Sequence, residues 1–191
     1  MPLVPAKTEL EFTLLWIVAT CGGFLMSLCL IEIVEKPEDI GVIQASIGGL
    51  MVALPQGLIL RHSISAVKWI LSTLLAWIAI SAIGIGAIGW IVIPNSEFFA
   101  SIILSGAIYG AIGGFGIGFA QWLAIRQPFP WAWQWILVSS ASWAIAIPVG
   151  SIVGSILHYL TRLFLGEVAG LAITWLMVAI LTGINAYRLF R

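Results

Sequence analysis

Charge is what this sequence has least of. Only 8% of its 191 residues are Asp, Glu, Lys or Arg, eight of each sign, and the formal net charge is zero. An average soluble domain carries roughly 25% charged residues, so a water-soluble globular fold is excluded. No run of like charge exceeds two residues, which removes the basic patch that phosphate recognition needs and with it nucleic acid as a partner. Histidine is reduced to His62 and His158, and cysteine to Cys21 and Cys29. The two cysteines are eight apart in one apolar run, so a helix would separate them by roughly 12 Å of rise. That is beyond disulfide reach, and they read as inert packing thiols. Catalytic signatures are missing as well: there is no Walker loop, no His-Glu-x-x-His and no Gly-x-Ser-x-Gly. An enzyme is not expected.

What the sequence does have is apolar length. Residues of the hydrophobic class make up 61% of the chain and the mean hydropathy is +1.13. A hydrocarbon crossing takes about 20 apolar residues, and six such stretches read as helices over 12–33, 40–61, 67–92, 98–126, 131–158 and 168–189. The breaks carry Glu35, Lys36, Pro37, Glu38 and Asp39, then Pro94, Asn95 and Glu97, then Pro128 and Pro130. Proline has no amide hydrogen with which to continue a helix. Transmembrane strands would alternate polar and apolar residues, and these runs do not. The expected fold is all-α, one polytopic transmembrane bundle of six helices over 1–191. The N-terminal stretch has no small-x-small cleavage site, so a cleaved signal peptide is not expected.

Six crossings put Lys7, Arg61, Lys68, Arg126, Arg188 and Arg191 on one side, and only Lys36 and Arg162 on the other. The positive-inside rule then places both termini in the cytoplasm, or the equivalent side of a thylakoid.

The chain also repeats itself. Shifted by 65 residues, Gly41, Ala45, Gly48, Gly49, Ala53, Gln56 and Arg61 fall on Gly106, Gly110, Gly113, Gly114, Gly118, Gln121 and Arg126. With one further residue in the loop, Trp69, Trp77 and Gly84 fall on Trp135, Trp143 and Gly150. Gln, Arg and two tryptophans in register are harder to obtain by chance than Gly or Leu. Repeat units of about 41–92 and 106–158 follow, with helices 2 and 3 duplicated as helices 4 and 5. A fainter third copy pairs helix 6 with helix 1. Gly170, Thr174, Thr182 and Asn185 have the spacing of Gly106, Gly110, Gly118 and Gln121, while Trp16, Thr20 and Phe24 have that of Trp69, Thr73 and Trp77. Units of two spans share one orientation, so the repeat is parallel and not inverted.

Gly106, Gly110, Gly114 and Gly118 form a small-residue ladder on helix 4, and Gly41, Ala45, Gly49, Ala53 and Gly57 one on helix 2. Residues four apart share a helix face, and such faces let backbones approach closely within lipid; a hinge or pore-lining face is the alternative. Gln56 and Gln121 belong to these faces and need partners, either across a helix seam or on a ligand. Arg61 and Arg126 end their spans, where they complement the helix dipole and reach lipid phosphate or an anionic partner. Glu32 lies either inside span 1, which would mark it as functional, or in a solvated acidic rim. His62 and His158 stand at opposite membrane boundaries, so they cannot share a metal; each bonds water or lipid, or holds a tetrapyrrole metal. Trp16, Trp69, Trp90, Trp122, Trp131, Trp133 and Trp135 fall near span ends, as an interfacial belt would. Trp77 and Trp143, deeper, either pack the bundle or touch a carotenoid, chlorophyll or quinone.

The stretch Gln121-Trp122-Leu123-Ala124-Ile125-Arg126, after a glycine ladder and before a Trp-rich span, resembles a loose group of bacterial polytopic membrane proteins frequent in cyanobacteria, whose Gly-rich helices end in Gln-Trp-Leu-x-Leu-Arg. The resemblance covers residues 41–157 in two copies. The first copy departs, with Gly57-Leu58-Ile59-Leu60 after Gln56. It implies a photosynthetic membrane and assigns no activity to any residue.

Two function classes are compatible with these features. One is a non-enzymatic accessory subunit, scaffold or assembly factor that contacts membrane lipids and docks a membrane-protein partner or a second copy of itself. The other is a small-solute or lipid transporter with Gln56 and Gln121 facing a cavity between helices 2 and 4. A dry seam there favours the first, a hydrated cavity the second.

Overall fold

The computed structural model describes residues 8–36, 39–92, 99–127 and 129–190, with Phe99 as backbone only. Lys7, Arg191 and the break residues Pro37, Glu38, Pro94, Asn95, Glu97 and Pro128 lie outside the described residues. Among the described residues six helices follow one another: α1 (Glu9–Ser27), α2 (Val42–Leu60), α3 (Ala66–Ala82), α4 (Phe99–Ile125), α5 (Gln134–Thr161) and α6 (Leu165–Phe190). All but α3 are long and apolar enough to cross a membrane, and the chain is an integral membrane protein. Each helix packs against its neighbours in sequence, and α6 closes back on α1. The result is a ring of six helices around one axis.

Local chemistry sets the starts. Thr8 and Glu11 form a reciprocal capping box, in which the Thr8 hydroxyl accepts from the Glu11 amide and the Glu11 carboxylate from the Thr8 amide. Two amides that the helix leaves orphaned are satisfied that way. Ser65 caps α3 by accepting from the Lys68 amide.

Two expected spans are too long. Helix 1 ends at Ser27 and not at 33, and helix 3 at Ala82 and not at 92. The second difference has a clear cause. Gly84 lies at φ +84°, the Gly84 amide bonds the Ser81 carbonyl, and the Ile85 amide bonds the Ile80 carbonyl. These are the paired bonds of a Schellman stop, which needs a residue in the left-handed region. Seventeen residues rise about 25 Å, short of a hydrocarbon core of about 30 Å. Residues 87–92 instead fold back across the end of the bundle, burying Ala87, Ile88, Trp90 and Val92. Their backbone is paired with the strip after α1, the Val34 amide donating to Trp90 and the Val92 amide to Val34. Irregular backbone at such depth is tolerated because it is covered by protein. Gly84 and Gly150, equivalent by spacing, therefore have different roles: Gly150 sits inside α5, where a methyl group would meet Thr174 and the Gly170 carbonyl of α6.

The glycine ladders close seams between consecutive helices, not between α2 and α4. A Cβ on Gly110 or Gly114 would strike the α5 backbone at Trp143 or Ser139, and one on Gly118 would meet Ser139 and Ile136. Gly49 makes room for Trp77 of α3. Gly106 is buried, whereas Gly41 caps α2 at an exposed position and takes no part in the seam. On α1, Gly23 meets the α2 backbone at Met51 and Val52.

Candidate functional site

The axis of the ring is filled from one amide outward. Gln56, on the inward face of α2, donates to the Thr20 hydroxyl of α1 at 2.9 Å and accepts from the Trp69 indole of α3 at 3.3 Å. Gln121 of α4 does the same one unit on, donating to Thr73 of α3 at 3.0 Å and accepting from Trp135 of α5 at 2.8 Å. Each carboxamide thus ties three consecutive helices together. In the third unit the Trp16 indole is taken by the Thr182 hydroxyl at 3.0 Å, while Asn185 turns back to the Leu181 carbonyl of its own helix. Asn is one methylene shorter than Gln, which is the difference between bridging two helices and bonding one's own.

The three indoles so held, Trp16, Trp69 and Trp135, meet edge to face, with centroids 5.8–6.3 Å apart. A second aromatic layer, Phe24, Trp77, Trp143 and Trp175, lies about two turns further along, roughly 12 Å, with Trp90 against it. Trp175 donates to the Gly89 carbonyl and Trp90 to the Ser27 hydroxyl, which fastens the folded-back segment over this end. Between the layers remains a cavity of about 30 Å³, bordered by Thr20, Thr73, Gln56, Gln121, Ser139 and Thr182. That is room for water alone.

Several expectations change here. Trp16, Trp69, Trp90 and Trp135 are buried in the core and do not form a belt; of the interfacial set Trp131 and Trp133 are exposed and Trp122 is half-buried. Depth along a helix does not tell which way a side chain turns, and indoles with a buried acceptor turn inward. Trp77 and Trp143 pack on each other inside the ring, where nothing as large as a tetrapyrrole or carotenoid fits. Glu32 is exposed beyond the end of α1. Among the described residues the buried acid is Glu167, 5% exposed in the first turn of α6, with one carboxylate oxygen 4.0 Å from His158 Nδ1. An acid at a helix N-terminus is favoured by the dipole, and that position was the available signal for it. His62 is exposed, and its Nε2 accepts from Arg61. Arg61 and Arg126 are exposed at the ends of α2 and α4, Arg126 lying over the Trp122 ring. Among the described residues no three His, Cys, Asp or Glu side chains gather as a metal site.

A larger space opens between the start of α5 and the end of α6. It measures about 640 Å³ and is lined by Phe129, Pro130, Trp131, Gln134, Trp135, Val138, Asn185, Arg188 and Leu189. Its position follows from the third unit. The α1–α2 and α3–α4 seams are drawn together by the Gln56–Thr20 and Gln121–Thr73 bonds, but at the corresponding level of α5 and α6, Ser139 bonds back to the Gly114 carbonyl of α4 and Asn185 to its own helix. At the opposite end the same two helices are in contact through Gly150, Gly154, Gly166 and Gly170. The pair is therefore splayed at one end only.

Compared with family models, curated proteins and solved structures, the chain finds no match.

Proposed function

We propose that this protein is a non-enzymatic accessory or scaffold subunit of the membrane, acting through its outer surface and not through a central path. The observation that supports this reading is the filled axis: two aromatic layers and a set of paired amides leave space for water alone. A solute path between the repeats would need Gln56 and Gln121 to face open volume, and both amides are spent on Thr and Trp partners. The outside of the ring is broadly apolar, with Leu14, Val18, Leu58, Leu71, Leu104 and Leu137 all exposed. Part of that surface faces lipid, and the scaffold reading assigns another part to a membrane-protein partner or a second copy. Termini on the cytoplasmic side, in a plasma or thylakoid membrane, complete the proposal.

The test has two arms. Mild-detergent extraction from the native membrane is expected to recover the chain in a stoichiometric complex, and proteoliposomes of the pure protein are expected to be no leakier to small solutes than empty vesicles. Partner-free protein together with solute flux abolished by Gln56→Ala and Gln121→Ala would reverse the assignment.

A further inference from the structure

The cleft between α5 and α6 has the chemistry of a lipid site. Its floor carries apolar side chains, Phe129, Val138 and Leu189, above the buried Trp135. At its mouth stand Arg188, the one cation among the described residues of its lining, and two carboxamides, Gln134 and Asn185. The side chain of Arg188 is 68% exposed, and its ion pair among the described residues, to Glu9 at 3.5 Å, is made through Nε with a carboxylate that is 48% exposed. Exposed pairs of this kind contribute little, so the terminal guanidinium nitrogens are free to bond an anion. Trp131, 66% exposed beside the mouth, has the amphipathic ring that settles at headgroup level. The opening lies at the Arg-rich end of two membrane-crossing helices, continuous with the bilayer boundary, and its volume is within the usual range for a ligand pocket.

The geometry points to one anionic phospholipid seated in this cleft, its phosphate on Arg188 and the Gln134 and Asn185 amides, and an acyl chain lying over Phe129, Val138 and Leu189. Basic pockets between transmembrane helices recognise anionic headgroups in this way. A zwitterionic phosphatidylcholine offers the same phosphate and acyl chains, but Arg188 repels its quaternary ammonium, so a headgroup of net negative charge is favoured, and a free phosphate forgoes the apolar walls. The site needs only that the chain crosses a membrane, and it is independent of any partner protein.

The test is lipid retention by native mass spectrometry of the full chain, stripped in detergent and then offered dioleoyl phosphatidylglycerol or dioleoyl phosphatidylcholine. One phosphatidylglycerol per chain is expected to remain, preferred about fivefold over phosphatidylcholine, the effect of one basic group near an anionic headgroup. Arg188→Gln, at an exposed position that folding does not depend on, is expected to bring the two lipids level. Val138→Trp, which fills the cleft, is expected to lower retention of both. Lys68→Gln, an exposed cation outside the lining of this cleft, is expected to leave the preference as it is. Equal retention of the two lipids by the native chain, an unaltered preference in Arg188→Gln, or the same loss in Lys68→Gln overturns the proposal.

Discussion

The Trp135 indole donates to Gln121 at 2.8 Å while its ring stands edge-on to Trp69, which donates to Gln56. Two amides from different units thus hold neighbouring sides of one aromatic layer. Each Gln carries one acceptor oxygen and two amide hydrogens, and in hydrocarbon an unmet polar group has no water to turn to. The network is a reason for the ring to close in one register only.

Replacing Gln121 with Leu keeps the volume and deletes two interhelical hydrogen bonds. At about 0.6 kcal/mol each on average, and up to about 1.7, Gln121→Leu is expected to cost about 1–3 kcal/mol in reversible unfolding in bicelles. Gln56→Leu is expected to cost less, because its bond to Trp69 is longer. Equal stability of both variants and the native chain would mean that the amides do not hold the seams.

Glycine substitutions separate packing from propensity. A methyl group at Gly110 would run into the Trp143 carbonyl oxygen, whereas one at Gly22 meets nothing within 4 Å. Gly110→Ala is therefore expected to lower the melting temperature by forcing α4 from α5. Gly22→Ala should raise it slightly, since Ala is favoured over Gly by about 0.5–1 kcal/mol inside a helix. Thermal melts in one detergent compare the two directly.

Gly84→Ala isolates the backbone term. No atom lies within 4 Å of the added Cβ, yet φ is +84°, and an L-residue held in the left-handed region loses roughly 1–2 kcal/mol. Destabilisation by that amount, reversed by the permissive Gly84→Asn more than by Gly84→Val, would identify the stop of α3 as conformational in origin. A neutral Gly84→Val would show that α3 runs on past Ala82.

Cys29 reports orientation. It is exposed in the turn after α1, at the end opposite Arg61, Arg126 and Arg188, while Cys21 is only partly exposed within α1. With both termini cytoplasmic, a membrane-impermeant maleimide added outside intact cells should label Cys29, and label a Cys29→Ser, Glu35→Cys variant equally. Labelling only after lysis would invert the topology.

Much of the bundle was legible in one dimension. Hydropathy and proline breaks located six helices, the 65-residue shift aligned Gln56 with Gln121, and one further loop residue aligned Trp69 with Trp135, positions that make the same bonds in space. Hydropathy failed at Ile83–Val92 because that segment is as apolar as the helix before it; only Gly84 and Gly86, both at positive φ, mark the turn. It likewise placed Trp16, Trp69 and Trp135 near the ends of their spans without saying which way they face.

Composition and periodicity fix how far into the bilayer each residue lies, because transfer from water to hydrocarbon depends on the residue alone. Direction around the helix, and the distance between two helices, depend on partners distant in sequence. The Thr20 that meets Gln56, the Thr182 that meets Trp16 and the one missing methylene at Asn185 are such cases. By itself the sequence therefore determined a membrane bundle with repeated parts. The tertiary structure decided that its axis is filled, that Glu167 is buried, and that α5 and α6 part at one end to leave a cleft.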